Sequence, residues 1–122
     1  MVGGDGERFH LVHAELAPPG RFDAVPGDGD IDAGLPGVGP DRLVWSRSLM
    51  GPGAPPVAET APGLSVTYCG HTPMPTLRRR LSHVCLDTGA VFGWQAGGAG
   101  GLDLAIAVRR GGAEEQIHRF PV

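Results

Sequence analysis

Glycine and proline interrupt this chain so often that no helix or strand in it has room to run long. There are 21 glycines and 12 prolines among 122 residues, spread without a period, in the range where composition alone suggests low-complexity sequence. Proline removes a backbone donor, and glycine weakens the interiors of helices and strands. The expected product is short elements joined by long irregular loops around a modest core. Residues 17–40 and 50–63 concentrate these punctuators and are expected as loop. A chain this size buries a smaller share of its surface than a larger one, so one small domain, or part of a larger one, is expected.

Charge and cysteine content narrow the function classes. A formal net charge of −3 gives no general attraction to nucleic acid or to an anionic membrane, so neither is expected as a partner. All ten cations are arginine, and lysine and asparagine do not occur. Arginine grips phosphate bidentately, so a phosphate site fits this composition. Cys69 and Cys85 suit either a disulfide or two small buried strand positions. The first residues lack the basic start and apolar run of a signal peptide. No stretch approaches the length of a membrane-spanning helix, and a cytoplasmic protein is expected.

Between the loops the pattern reads strand after strand, with no long amphipathic helix and no internal repeat. Residues 8–13, 64–69 and 81–86 carry branched and aromatic side chains in short runs. Leu102, Leu104, Ile106 and Val108 alternate, which makes one strand face apolar. A turn at Gly111-Gly112 then leads to a hairpin partner at 116–120. Residues 41–49 read as a short ordered segment whose start, Pro40-Asp41, suits a first helical turn. Arg78-Arg79-Arg80 is expected as a solvated connection, and residues 95–101 as a flexible turn. Trp45 and Trp94 are expected as core anchors, His10 and His83 as satisfied residues beside strands, and His118 as exposed. The residues alone support a small β-rich domain with long loops.

Two histidines stand where strand-like runs end. His13 precedes the small Ala14, and His71 lies between Gly70 and Thr72-Pro73. Flanking glycine and proline make a sharp turn that projects an imidazole from a sheet edge. Two such side chains suit one shared cation, because neutral imidazole ligates Mn, Fe or Zn. Taken singly, each is equally an ordinary half-buried loop histidine.

Four short motifs run in order along the chain: Leu11-Val12-His13-Ala14-Glu15-Leu16, Trp45-Ser46-Arg47, Gly70-His71-Thr72-Pro73 and Asp87-Thr88-Gly89-Ala90-Val91. Together, over residues 10–104, they resemble the C-terminal portion of the calcineurin-like metallophosphoesterases, and among those the bacterial serine/threonine phosphoprotein phosphatases. The resemblance implies an α+β, β-rich fold that forms the C-terminal part of a four-layer αββα sandwich. Residues 1–16 would hold the first strand and a metal histidine, 17–63 a loop-rich segment with Trp-Ser-Arg, and 64–122 the C-terminal sheet. It implies His13 and His71 as ligands of one divalent metal, Mn first with Fe or Zn as alternatives. Arg47 becomes the clamp on a substrate phosphate, and Thr72 and Asp87 become structural supports. The implied activity is metal-dependent hydrolysis of a phosphomonoester, on a phosphorylated protein first of all. Metal-activated water attacks in line, while metals and arginine neutralise the phosphoryl oxygens.

The same resemblance sets a limit. The family's Gly-Asp-x-His-Gly, Gly-Asp-x-x-Asp-Arg-Gly and Gly-Asn-His-Glu elements do not occur here, and a chain without asparagine cannot hold the last. Gly27-Asp28-Gly29-Asp30 is no substitute, since no His-Gly follows. Asp28, Asp30 and Asp32 do not make a calcium loop either, because Ala33 and Gly39 stand where glycine and glutamate are needed. A solvated acidic loop is expected there. Without a bridging carboxylate the isolated chain is expected to bind metal weakly and to show little or no phosphatase activity. Two further readings stay open. One is a truncated, non-catalytic fragment, or a half completed by an N-terminal half in trans through exposed strand edges. The other is a small structural zinc domain on Cys69, His71, His83 and Cys85, whose alternate-residue pairs each point to one face of a strand.

Overall fold

Frequent glycine and proline leave only short elements: among the described residues no helix or strand exceeds six residues. A computed structural model describes residues 7–97, 102–111 and 113–122. In chain order the elements are β1 (His10–Leu11), a 3-10 turn (Phe22–Ala24), α1 (Asp28–Asp32), α2 (Pro40–Trp45), β2 (Thr67–Cys69), β3 (Arg78–Arg80), β4 (His83–Cys85), α3 (Ala90–Gln95), β5 (Asp103–Val108) and β6 (Gln116–Pro121). The architecture is a small mixed α/β domain. No described helix is long and apolar enough to cross a membrane. Residues 1–6, and residues 98–101 and 112 of the two expected glycine turns, lie outside the described residues.

The main sheet has the order β1-β2-β4-β3, with β1, β2 and β4 parallel and β3 antiparallel to β4. Every residue of β2 and β4 is buried, as the inner strands of a parallel sheet require. A parallel pair needs a long crossover, and the residues between β1 and β2 supply it with α1 and α2. Pro40 opens α2 in the first turn, where its missing N–H is not needed.

Residues 17–40 are therefore not plain loop: Asp30 and Asp32 of α1 are exposed as expected, but Asp28 is half-buried and bonded. Asp28 accepts from Ser65 N–H at 2.9 Å and Ser65 Oγ at 2.6 Å, and meets His10 Nε2 at 2.7 Å. Burial would raise its carboxyl. The bonds from Ser65 and His10 and the charge of Arg8 outweigh that and hold it far below the ordinary carboxylate range. Asp30 accepts from Gly27 N–H at 2.8 Å at the helix start, and Asp32 pairs with Arg8 at 2.6 Å.

The three arginines expected in a connection form an edge strand instead. Leu81-Ser82 turns β3 into β4 with φ of 48° and 65°, the two-residue geometry that usually takes Asn-Gly. The strain is held by the neighbouring loop, since Leu81 and Ser82 N–H donate to Ala58 O and Glu59 O at 2.8 and 2.7 Å. Arg78 donates to Met50 O and Gly51 O, Arg80 to Pro55 O, and Arg79 pairs with Glu115.

The core is built largely from loop residues, which is how a chain with so few long elements finds one. Ala17, Leu49, Met50 and Leu81 pack with Cys69 and Cys85, and Val12, Phe22, Val25, Val57 and Ala61 close around them. Cys69 and Cys85 are paired neighbours on β2 and β4 and remain buried free thiols. Trp45 and Trp94 are not core anchors: they are 67% and 75% exposed. β5 and β6 form the expected antiparallel hairpin, from Asp103↔Pro121 to Val108↔Gln116. Its apolar alternation faces outward, with Ala105 buried and Leu104 and Ile106 exposed.

Candidate functional site

Three parallel strands leave the main sheet at one edge. Past β1, Val12 N–H donates to Tyr68 O at 3.0 Å and Gly70 N–H donates to His13 O at 2.9 Å, so the β1–β2 ladder runs on to His13. Past β2, Leu86 N–H donates to Cys69 O at 2.9 Å, which carries the β2–β4 register toward His71 and Asp87. The carboxyl ends of parallel strands are where open α/β sheets take ligands, because the chain leaves the sheet there and exposes loop side chains.

His71 sits in a strained turn. Thr72 N–H donates to Gly70 O at 2.8 Å across His71, whose φ is 66°. This is a γ-turn of the rare positive-φ kind, costly for a residue with a Cβ and typical of functional positions. His13 Nε2 and His71 Nδ1 lie 3.2 Å apart, with ring centroids 5.0 Å apart. Arg47 Nε donates to His71 Nε2 at 3.3 Å, which places the His71 proton on Nδ1, toward His13. The Trp45 ring meets His71 edge-on at 5.6 Å.

Asp87 Oδ1 accepts from Gly89 N–H at 3.1 Å, and Asp87 O accepts from Met74 N–H at 3.0 Å. The structure thus gathers His13, Arg47, His71 and Asp87 around one cleft of about 310 Å³, lined also by Pro73, Gly89, Val91 and Phe92. Thr72 does not line it: the residue is buried and its Oγ1 has no partner among the described residues. A second cavity of about 270 Å³ lies beside Ser82 and His83, but Ser82 Oγ and both His83 nitrogens are already bonded within the protein.

The group that sets Arg47 in place is one the sequence reading passed over. Glu15 is fully buried. Its Oε1 accepts from Ser46 Oγ at 2.7 Å, Ser48 Oγ at 2.8 Å and Leu49 N–H at 2.8 Å, and its Oε2 from Met50 N–H at 3.1 Å. These bonds wrap residues 46–50 around one carboxylate and leave Arg47 directed at His71. Gly51 N–H closes the turn on Arg47 O at 2.9 Å, and a Cβ at position 51 would fall 2.4 Å from that oxygen. The available signal was an acid two residues after a strand-ending histidine, together with the Ser-x-Ser of 46–48.

Two imidazole nitrogens bound to one cation at about 2.1 Å each stand about 3.2–3.4 Å apart. The 3.2 Å between His13 Nε2 and His71 Nδ1 fits that span, and a cation there would move the His71 proton from Nδ1 to Nε2. Among the described residues no cluster of three or more His, Cys, Asp or Glu is placed to hold a metal. The four-ligand zinc arrangement does not form. His83 is fully buried, accepts from Leu16 N–H at 3.1 Å through Nε2 and donates to Leu81 O at 2.8 Å through Nδ1, and burial lowers its pKa and keeps it neutral. The chain matches no protein-family model, no curated protein and no solved structure. The site stands on its geometry.

Proposed function

We propose that the chain forms the cation- and phosphate-binding edge of a metal-dependent phosphomonoesterase of the calcineurin-like kind its motifs resemble, acting on phosphorylated protein. The observation that carries this reading is the meeting of His13, His71 and Arg47 at the carboxyl edge of β1 and β2. His13 and His71 would hold a divalent cation, Mn²⁺ first and Fe or Zn as alternatives. When bound, such a cation supplies Lewis-acid activation of water and of a phosphoryl oxygen.

The chain's own residues do the rest. With a cation on His71 Nδ1 the ring proton would sit on Nε2 and release Arg47 Nε, so the whole guanidinium would be free for phosphate oxygens, a bidentate geometry that lysine cannot offer. The Glu15 wrap fixes the backbone on either side of Arg47, from which that guanidinium reaches the cleft. Asp87, bonded to Gly89 N–H, shapes the turn beside it. The described residues provide no bridging carboxylate for a second cation, and turnover by this chain alone stays at background. A partner in trans has a place to join: β1 is the sheet edge, and its Leu11 is 60% exposed.

Calorimetric titration with MnCl₂ tests the cation site. One weak site per chain is expected, lost in His13→Ala and His71→Ala and kept in Arg47→Ala. Inorganic phosphate added to the Mn²⁺-supplemented protein should bind, and Arg47→Ala should abolish that binding. Mn²⁺ binding indifferent to both histidines would refute the reading. Robust hydrolysis of a generic phosphomonoester, abolished by His71→Ala, would keep the family and overturn the inactivity of the isolated chain.

A further inference from the structure

α3 packs the reverse way for an amphipathic helix. Its buried residue is Gly93, where an added Cβ would fall 2.7 Å from Val122 Cγ2 and 3.0 Å from Leu102 O. Its large apolar side chains, Val91, Phe92 and Trp94, are 62%, 53% and 75% exposed. A helix this short gains little from propensity and depends on packing, yet these side chains contribute to no core cluster. Val91 and Phe92 instead line the cleft that holds His13, Arg47 and His71. A phosphate-directed guanidinium and an apolar wall therefore share one small space.

We propose that this wall reads the alcohol portion of the ester. The cleft takes a small phosphomonoester whose ester oxygen carries an aromatic group, with the phosphate at Arg47 and the ring against Val91 and Phe92. The proposal rests on the phosphate site argued above and adds the class of ligand. Size agrees: about 310 Å³ is at the low end of ligand cavities, matched to one phosphorylated side chain or small ester rather than a dinucleotide. Asp87 is the carboxylate in the described lining, and its Oδ1 is engaged by Gly89 N–H.

Calorimetry on the full chain with Mn²⁺ present, comparing methyl phosphate with phenyl phosphate, tests it. Phenyl phosphate should bind about tenfold tighter, the scale of one aromatic contact plus burial. The double variant Val91→Ser, Phe92→Ala should bring the two esters to equal affinity without weakening methyl phosphate. Trp94→Ala removes a still more exposed apolar side chain that does not line the cleft, and should leave the preference intact. These side chains are more than half exposed, so the variants should melt with the parent chain. N-acetyl-phosphotyrosine amide binding as tightly as phenyl phosphate would support the wall and assign the ester to a protein side chain. Weaker binding, still above methyl phosphate, would support it and assign a free small ester. Equal affinity for methyl and phenyl phosphate in the parent chain, or a preference untouched by the double variant, overturns the inference and leaves the phosphate site standing. Absence of any Arg47-dependent ester binding overturns both.

Discussion

Glu15 exposes no surface and yet decides where the exposed Arg47 sits, through four donors on one carboxylate. In Glu15→Gln the amide NH₂ meets donors and loses acceptor capacity. We expect a loss of about 3 kcal/mol, read by urea denaturation, together with weaker Arg47-dependent phosphate binding. Ser46→Ala removes one donor and should cost about 1 kcal/mol. His83 makes a prediction in pH. Both its nitrogens are used in the neutral ring, and burial lowers its pKa. As pH falls below about 6.5 the unfolded chain takes up a proton that the folded chain refuses. Stability is therefore full above that pH and declines toward the depressed folded pKa. Urea midpoints between pH 5 and 8 should show this slope, and His83→Gln, less stable throughout, should flatten it. Turn residues around His13 and His71 made those two legible in sequence. Glu15 was not, because its partners lie more than thirty residues away and half of them are backbone amides.

Among the elements, the turn from Arg47 to Gly51 ties local backbone to the site. A Cβ at position 51 would overlap Arg47 O at 2.4 Å, while one at position 53 would meet nothing within 4 Å. Gly51→Ala should cost about 2 kcal/mol and impair phosphate binding, whereas Gly53→Ala should do neither. Paired calorimetric and thermal measurements would separate them. The hairpin β5–β6 was legible because alternation survives in a six-residue strand. α1 and α3, five and six residues long, are too brief for a helical period to show. β3 was hidden because three consecutive arginines have no strand pattern. Pairing with β4 and three sets of arginine bonds impose the strand on them.

Across the whole molecule, the hairpin is fastened to the main sheet by polar groups. Tyr68 and Arg79 both bond Glu115, and Arg109 reaches Tyr68 and Glu7. Burial would raise the Glu115 carboxyl, but the bonds from Tyr68 and Arg79 outweigh it and hold it low. Asp28 is held low for the same kind of reason. Each contributes stability above its unfolded pKa, near 4, and loses it as pH falls through the depressed folded value. With His83 the three act in one direction, so the melting temperature should be highest at neutral pH and fall steadily into acid. Glu115→Gln should loosen the hairpin first, seen as faster amide exchange in β5 and β6 while β2 and β4 stay protected.

Local chemistry was enough to set the brevity of every element, the alternating face of β5 and the two histidines at strand ends. Composition and turn residues act on their immediate neighbours, and a reader of the chain can see them. What brings His13 beside His71, and Arg47 onto His71, is the pairing of His10 with Thr67 and Thr67 with His83 and the Glu15 wrap. The same long-range packing left Trp45 and Trp94 at the surface, where their residue type alone predicted core anchors. Such contacts join residues far apart in the chain, so their free energy belongs to the assembled sheet and to no single segment of sequence.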